Sequence, residues 1–258
     1  MFRFLRHSAP CAAFALTCLI TPAPEADAAR MLIPMYAYPT AGSALWNGVR
    51  DASATVDITA IINPANGPGT SVDANYQRRI AELDARGVKL AGYVYTGYGT
   101  RPLADVLTDM DTFRALYPQV TLLFVDEQSN DVATLEYYAA IHAHAAAAGY
   151  ARVFGNPGTN TPEAFTTSAS IPVTTVIYES PYSGWPAYAA DSYVGARPAG
   201  DFAMMVTNVG TAARMRECVD LAKARNVDYI YVTHDKGANP YDALPTYWSE
   251  ETARIAAP

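Results

Sequence analysis

Residues 122–127 read LLFVDE, an unbroken apolar run that ends in two carboxylates. Residues 175–179, TVIYE, repeat the same pattern with one glutamate at the end. A run that is apolar throughout, rather than alternating with polar residues, is typical of a strand buried on both faces, as in a parallel sheet. The two segments therefore predict buried parallel strands with acidic residues at their carboxyl ends.

Similar β-branched and aromatic runs recur at intervals of roughly 25 to 35 residues, about the length of one strand–helix unit. The predicted strands are Leu32–Tyr38, Ile58–Asn63, Lys89–Thr96, Leu122–Glu127, Arg152–Asn156, Thr174–Glu179, Phe202–Asn208 and Tyr229–Asp235. Helical spacing recurs between most of them, for example at Tyr76, Ile80 and Leu83 before Gly87. After strands one, five and six, the Pro and Gly content predicts short helices inside longer loops.

Eight strands that alternate with helices predict an α/β fold, a single-domain (β/α)₈ TIM barrel over residues 29–258. The alternative is a doubly wound open sheet. That fold usually carries a glycine-rich turn after its first strand. Here the first strand ends in YAYP (36–39), which favours the barrel.

Residues 1–28 have the features of a secretion signal. Arg3 and Arg6 precede a short apolar stretch, Cys11–Ile20, and residues 26–28 read ADA, a typical cleavage site. We expect a secreted protein, periplasmic or extracellular, in which Cys218 is the one remaining cysteine and is buried as a small hydrophobe. The net charge of −7 argues against nucleic acid or an anionic membrane as a partner.

The active site of a barrel of this kind lies at the carboxyl ends of its strands. Polar strand-end residues also commonly cap the following helix, and this explanation suits Thr207 and Asn208. It does not suit Glu127 and Glu179, because Glu is not a favoured N-cap. A carboxylate at the edge of an apolar barrel interior is costly unless it is paired or used.

Two or three carboxylates that face one pocket suit glycosidic cleavage, in which one carboxyl donates a proton and another is ionised. The candidate catalytic residues are Asp126, Glu127 and Glu179. Asp126 and Glu127 are neighbours on a strand and start by pointing to opposite sides. We therefore expect only one of those two to point at the substrate.

Aromatic residues are frequent near the strand ends, and the chain holds 18 tyrosines. Their flat faces suit stacking on sugar rings, although ordinary packing remains the alternative for each of them. The candidate substrate-binding residues are Tyr36, Tyr38, Asn63, Tyr93, Tyr95, Tyr98, Asn156, Tyr178, Trp185 and His234. His142 and His144 do not share a helix face, so we interpret them as surface residues rather than metal ligands.

Several of these segments together resemble the spherulin-4 family. They are IPMYAYP (33–39) followed by Trp46, INPANGPG (62–69), GYVYTGYGTR (92–101), FVDE (124–127), FGNPGT (154–159) and VIYES (176–180). The resemblance implies a (β/α)₈ barrel and an endo-acting α-1,4-N-acetylgalactosaminidase. Its implied substrate is galactosaminogalactan or a similar exopolysaccharide of a biofilm matrix.

The family's acidic residues match Asp126, Glu127 and Glu179. By analogy with related barrel hydrolases, the resemblance implies that Asp126 is the nucleophile and Glu179 the acid/base, with Glu127 in support. It also implies retention of configuration and no metal or cofactor. We expect a polysaccharide partner and a monomeric protein. Two other classes stay open, namely a non-catalytic carbohydrate-binding barrel and a structural protein of the cell envelope. The three intact acids argue against the first of these, and a barrel with an open acidic cleft argues against the second.

Overall fold

The computed structural model describes residues 28–168 and 170–258. The predicted secretion signal lies outside these residues except for Ala28. Eight parallel strands, β1 to β8, pair in chain order, and β8 pairs with β1 to close a barrel. Their bounds are Arg30–Pro34, Ile58–Ile62, Lys89–Tyr95, Leu122–Asp126, Val153–Gly155, Val173–Pro181, Phe202–Thr207 and Tyr229–Val232. The predicted single-domain TIM barrel is therefore confirmed, and the open-sheet alternative is wrong.

Helices cover the outside of the barrel. In the described residues, α1 to α6 span Ala44–Ala52, Ala74–Asp84, Leu103–Leu116, Leu135–Ala147, Ala212–Ala224 and Trp248–Ala256. The connections after β5 and β6 contain short 3₁₀ turns in place of α-helices, as their Pro and Gly content predicts. The sequence specifies both ends of α2. The Asp73 carboxylate accepts hydrogen bonds from the N–H groups of the first turn, and Gly87, at φ 78°, follows the end of the helix.

The core lies inside the barrel and between its strands and helices. All five residues of β2 are buried, which agrees with a strand covered on both faces. Phe154 and Tyr229, from strands on different sides of the barrel, meet with their ring centroids 4.9 Å apart. Cys218 is fully buried as expected, and burial raises the pKa of its thiol to about 12.

His142 corrects one expectation. Its side chain is buried on the inner face of α4, and this burial lowers its pKa to about 4 because the charged imidazolium is poorly solvated there. His144 is partly exposed and lies 2.8 Å from the Asp111 carboxylate. The interpretation of both histidines as surface residues was therefore wrong for His142. No helix in residues 28–168 and 170–258 combines the length and apolarity needed to cross a membrane.

A bulge in β6 decides which way its last residues face. Thr175 points outward and bonds to Thr166 in the segment that covers the barrel, whereas Glu179 lines the mouth of the barrel. Residues four apart on an unbroken strand share one face. The register against β7 slips between Val176 and Tyr178, so that Ile177 is an extra residue and the alternation reverses. The bulge therefore turns Glu179 inward and Tyr178 outward.

The barrel closes at a short seam between β1 and β8, where only two residue pairs lie in register. Beyond them, the N–H of Val232 faces away from β7, since the next N–H, that of Thr233, bonds to Val206 on β7. The fully buried Glu251 of α6 supplies the acceptor, with its Oε1 2.7 Å from the Val232 nitrogen. A helix side chain thus completes the hydrogen bonding of the last strand.

Candidate active site

Two cavities meet at the carboxyl ends of the strands. The larger has a volume of about 830 Å³ and the smaller about 340 Å³. Asp126 at the end of β4 and Glu179 of β6 line both cavities. The two carboxylates therefore stand at the junction of a cleft that continues to either side of them.

Asn156 ties the two carboxylates together. It follows β5, the strand between β4 and β6, and is buried. Its Nδ2 donates to Asp126 Oδ1 at 2.8 Å and to Glu179 Oε2 at 2.6 Å. Because both oxygens contact one nitrogen, they are separated by at most the sum of these distances, 5.4 Å. Pairs of catalytic carboxyls about 5 to 5.5 Å apart are typical of retaining glycosidases, whereas inverting enzymes need about 6.5 Å or more.

Asp126 has a second fixed partner. The Tyr93 hydroxyl donates to its Oδ2 at 2.8 Å. Tyr93 is itself buried, with its ring stacked on Phe124, so the hydroxyl is held in place by packing. The carboxylate of Asp126 therefore accepts one hydrogen bond on each oxygen, which fixes its orientation.

Glu179 sits in a drier setting. Burial raises its pKa, the hydrogen bonds from Tyr241 and Asn156 act in the opposite direction, and the nearby charge of Asp126 adds to the rise. The Tyr241 hydroxyl lies 2.5 Å from Oε1. The two carboxyls thus have different environments, with Glu179 the one biased toward its protonated form.

Glu127 adopts an uncommon backbone conformation that changes its direction. Its φ is 51°, in the left-handed region that non-glycine residues rarely enter. Its carbonyl accepts hydrogen bonds from the Tyr98 N–H and the Thr96 hydroxyl, both at 2.7 Å. Strand alternation ends here, and both Asp126 and Glu127 line the smaller cavity. Both residues therefore belong to the cleft, and the expectation that only one of them points at the substrate stays a prediction.

Six of the ten predicted substrate-binding residues lie in or directly behind the cleft. Tyr36, Tyr38 and Asn63 line the larger cavity, and Tyr98 and Asn156 line the smaller. Tyr93 lies behind Asp126, which it orients. The ring of Tyr36 packs edge-on against Tyr93 and Tyr241, with centroids 5.9 and 5.7 Å apart.

The other four are packing residues that line neither cavity. Trp185 is fully buried, and its Nε1 donates to the Cys218 carbonyl. Tyr178 points outward because of the β6 bulge and packs on Trp185, with its hydroxyl bonded to the Pro181 carbonyl. Tyr95 lies under the Arg101 guanidinium, 4.2 Å from the ring centroid. His234 packs edge-on against Tyr247. For these four, the packing alternative left open for strand-end aromatics applies.

Several residues that line the cleft were not predicted from the sequence or were given another role, and Tyr241, Thr207 and Asn208 are among them. Tyr241 lies nine residues beyond the end of β8, and no strand-end pattern pointed to it. Thr207 and Asn208 line the larger cavity and do not cap α5, since the Thr211 side chain accepts from the Arg214 N–H at the start of that helix. Asn208 has φ 56°, a conformation that Asn tolerates. Their interpretation as caps was wrong.

We looked for side chains that could coordinate a metal ion in the part of the chain that the structure describes. No group of three or more His, Cys, Asp or Glu side chains there is arranged to hold an ion. The chemistry open to the cleft is acid, base and nucleophilic work by its carboxyls, with hydrogen-bond support from Asn156, Tyr93 and Tyr241.

The protein is similar in sequence and in fold to several known proteins. Spherulin-4 of Physarum polycephalum is 29% identical over 253 residues, which cover 94% of this chain and 74% of that protein. The crystal structure of Aspergillus clavatus Sph3 in complex with GalNAc superposes with a TM-score of 0.76 at 24% identity, over 90% of this chain and 98% of that one. A Thermobaculum terrenum O-GlcNAc hydrolase mutant matches with a TM-score of 0.51 at 11% identity, over 91% of this chain and 60% of that one.

The two structural matches bear on the fold alone, and they agree with a barrel whose chain order and closure are those described above. The family assignment rests on sequence. The model of the family described as "Spherulation-specific family 4" matches residues 30–255, from the first strand to the last helix. The resemblance seen in the sequence motifs is thereby confirmed, and the chain belongs to the spherulin-4 family.

Proposed function

We propose that the protein is a secreted, retaining glycoside hydrolase that cleaves within an amino-sugar polymer. The observation that carries the proposal is the Asp126–Asn156–Glu179 bridge, which holds two carboxyl oxygens within 5.4 Å of each other at the centre of an open cleft. Double displacement at a glycosidic bond requires two carboxyls at about this separation. A purely structural role does not require two carboxyls to meet at the junction of two cavities.

Asp126 is the nucleophile in this proposal and Glu179 the acid. A carboxylate oxygen of Asp126 attacks the anomeric carbon while the bond from that carbon to the leaving oxygen breaks. The proton of Glu179 passes to the leaving oxygen, which departs as a hydroxyl. Burial favours the protonated form of Glu179 that this step needs.

The second step releases the sugar. The carboxylate of Glu179 takes a proton from water as the water oxygen bonds to the anomeric carbon, and the ester bond to Asp126 breaks. Asp126 is ionised again and Glu179 protonated again, so both residues return to their starting states. Glu127 lines the smaller cavity beside them and would orient the sugar bound there.

The proposed substrate is a polymer that contains α-1,4-linked N-acetylgalactosamine, as in galactosaminogalactan. Support comes from the family assignment and from the similar Sph3 barrel, whose crystal structure is a complex with GalNAc. The larger cavity adds tyrosine faces and amide groups, from Tyr36, Tyr38, Asn63, Asn208 and Asn239, which suit a neutral sugar.

Product release from purified GalNAc-rich exopolysaccharide tests the proposal. We expect the protein to release oligosaccharides and both Asp126→Asn and Glu179→Gln to lose at least about a hundredfold in rate. Asp105→Asn, on the outer helix α3, is the matched control and should keep full activity. Binding of the polymer without release by the unaltered protein would contradict the hydrolase and favour a carbohydrate-binding barrel.

A further inference from the structure

The exposed apolar side chains of this protein are not scattered. Among residues 28–168 and 170–258, the large hydrophobic side chains with high exposure are Tyr38, Val72, Tyr98 and Val132, at 52%, 42%, 62% and 56%. Exposed apolar residues that occur singly need no explanation, but those grouped around a cleft indicate a binding surface. All four lie on segments at the mouth of the barrel.

Tyr38 and Val72, on the segments that follow β1 and β2, are the first pair. Tyr38 lines the larger cavity, and its hydroxyl is fixed by two hydrogen bonds, to Asp73 Oδ2 at 2.9 Å and from Asn75 Nδ2 at 3.0 Å. Val72 directly precedes Asp73 in the chain. A tyrosine that is half exposed and yet held at its hydroxyl presents its ring in a fixed position, which lowers the entropy cost of binding.

Tyr98 and Val132, on the segments that follow β3 and β4, are the second pair. Tyr98 lines the smaller cavity with φ 57°, and its N–H donates to the Glu127 carbonyl. Val132 begins the 3₁₀ turn that packs against the Tyr98 loop, since a methyl group added at Gly99 would lie 3.1 Å from Thr134 Cγ2. A bulky residue kept in a costly backbone conformation and left exposed is a feature of ligand-contacting segments.

The two cavities share Asp126 and Glu179, and Tyr38 lines only the larger of them whereas Tyr98 lines only the smaller. We propose that the Tyr38–Val72 and Tyr98–Val132 pairs are the outer platforms of one extended site, across which a single linear amino-sugar chain lies with its scissile bond between them. The inference rests on the proposed function for the identity of the chain. It adds that recognition includes exposed side chains at both cavities and requires several consecutive sugars.

Binding affinity as a function of chain length tests this proposal. Calorimetric titration of the Glu179→Gln protein with N-acetylgalactosamine oligosaccharides, from the disaccharide to an octasaccharide, prevents cleavage during the measurement. We expect affinity to rise with length. Tyr38→Ala and Tyr98→Ala should each weaken octasaccharide binding about fivefold, the ordinary strength of one aromatic contact, and so reduce the gain in affinity with chain length. Val72→Ser and Val132→Ser should act in the same direction and more weakly.

His144→Ala, which removes an aromatic ring from the outer helix α4, is the control and should change neither affinity. Equal affinities for the short and long oligosaccharides would overturn the extended site, as would a response confined to one pair or a complete lack of octasaccharide binding. The test is read from binding alone. If the octasaccharide binds in this length-dependent way but the unaltered protein leaves it intact, the hydrolase proposal fails and the extended site stands.

Discussion

At the scale of single residues, Tyr241 and Asn156 act on the same carboxyl by different means. The Asn156 Nδ2 can only donate, so it favours ionised Glu179 at all times. The Tyr241 hydroxyl donates to a carboxylate and, after rotation, accepts from a carboxylic acid. A residue that alternates between acid and base needs at least one such partner, because its proton must be accommodated in half of the cycle.

Tyr241→Phe should therefore shift the pH profile. A hydrogen bond to the charged form lowers a carboxyl pKa, so its loss raises the pKa of Glu179 further above its ordinary value. The ionisation of the acid sets the alkaline limb of kcat/KM, and we expect this limb to move to higher pH by about one unit. Measured rates against pH, with a ¹³C-NMR titration of the Glu179 carboxyl, check the shift.

The matched control for this change is Tyr182→Phe, which removes an equivalent bond to Glu217 outside the cleft and should leave both titrations unmoved. An alkaline limb that stays in place in Tyr241→Phe would mean that Tyr241 only packs against Tyr36 and does not tune the acid. The NMR titration gives its answer even without turnover, since it follows Glu179 directly.

Asn156→Ala should lower the activity strongly, although it removes only one amide group. The change frees both carboxyls at once, and misplacement of reacting groups by about 1 Å can cost a hundredfold in rate. We expect kcat/KM to fall about a hundredfold with little change in the melting temperature, as measured by initial rates and thermal unfolding. Asn160→Ala, which removes the bond donated to the Ala189 carbonyl and the bond accepted from the Tyr188 hydroxyl, is the control. A loss smaller than about threefold would contradict the bridging role.

At the scale of elements, the strands could be predicted because their burial on both faces leaves a continuous apolar signal in the sequence. The directions of the side chains at the ends of β4 and β6 could not, because each depends on a single irregular residue. The extra residue Ile177 reverses the alternation of inward and outward side chains along β6. In β4, this alternation ends at Glu127, whose φ is 51°. An irregularity of one residue leaves no periodic pattern in the sequence, so the sequence does not predict that Tyr178 points outward.

The backbone of Glu127 gives a stability test at this scale. Left-handed φ costs an L-residue roughly 1 to 2 kcal/mol and glycine almost nothing. We expect Glu127→Gly to be more stable than Glu127→Ala by about 1 kcal/mol in urea unfolding, the reverse of the usual order. The pair Glu136→Gly and Glu136→Ala in helix α4 should show the usual order, with Ala more stable. If Ala is also the more stable residue at 127, strain does not hold Glu127 in the cleft.

At the scale of the whole molecule, barrel topology explains how much of the site was predictable. Closure brings the ends of β1, β2, β4, β5 and β6 around one mouth, so Asp126, Asn156 and Glu179 could be grouped from the sequence alone. Tyr241 could not, because its place depends on a loop that folds back from β8 to β1. The Tyr36 N–H donates to the Tyr241 carbonyl, and Asn239 donates to the Tyr36 carbonyl. Such contacts join residues some 200 positions apart and leave no local pattern.

The same closure makes the stability of the whole barrel depend on pH through Glu251. This carboxyl is fully buried behind the β1–β8 seam, and burial raises its pKa well above the ordinary value. In the unfolded chain it ionises near pH 4.3. Its contribution to stability is therefore fully present below about pH 4.3 and is lost as the pH rises toward the folded pKa, because only the unfolded state releases the proton in that interval.

Glu251→Gln should remove this dependence and keep the bond to the Val232 N–H through its amide oxygen. Between about pH 5 and the folded pKa, we expect the free energy of unfolding of the unaltered protein to fall relative to that of the variant by up to about 1.4 kcal/mol per pH unit. Urea unfolding of both proteins across this range measures the difference, and groups common to both cancel. Glu250→Gln, an exposed neighbour paired with Arg216, should follow the unaltered protein. Parallel curves for the Glu251→Gln and unaltered proteins would mean that Glu251 is ionised in the folded barrel, and the seam would then hold a buried charge beside the Val232 N–H.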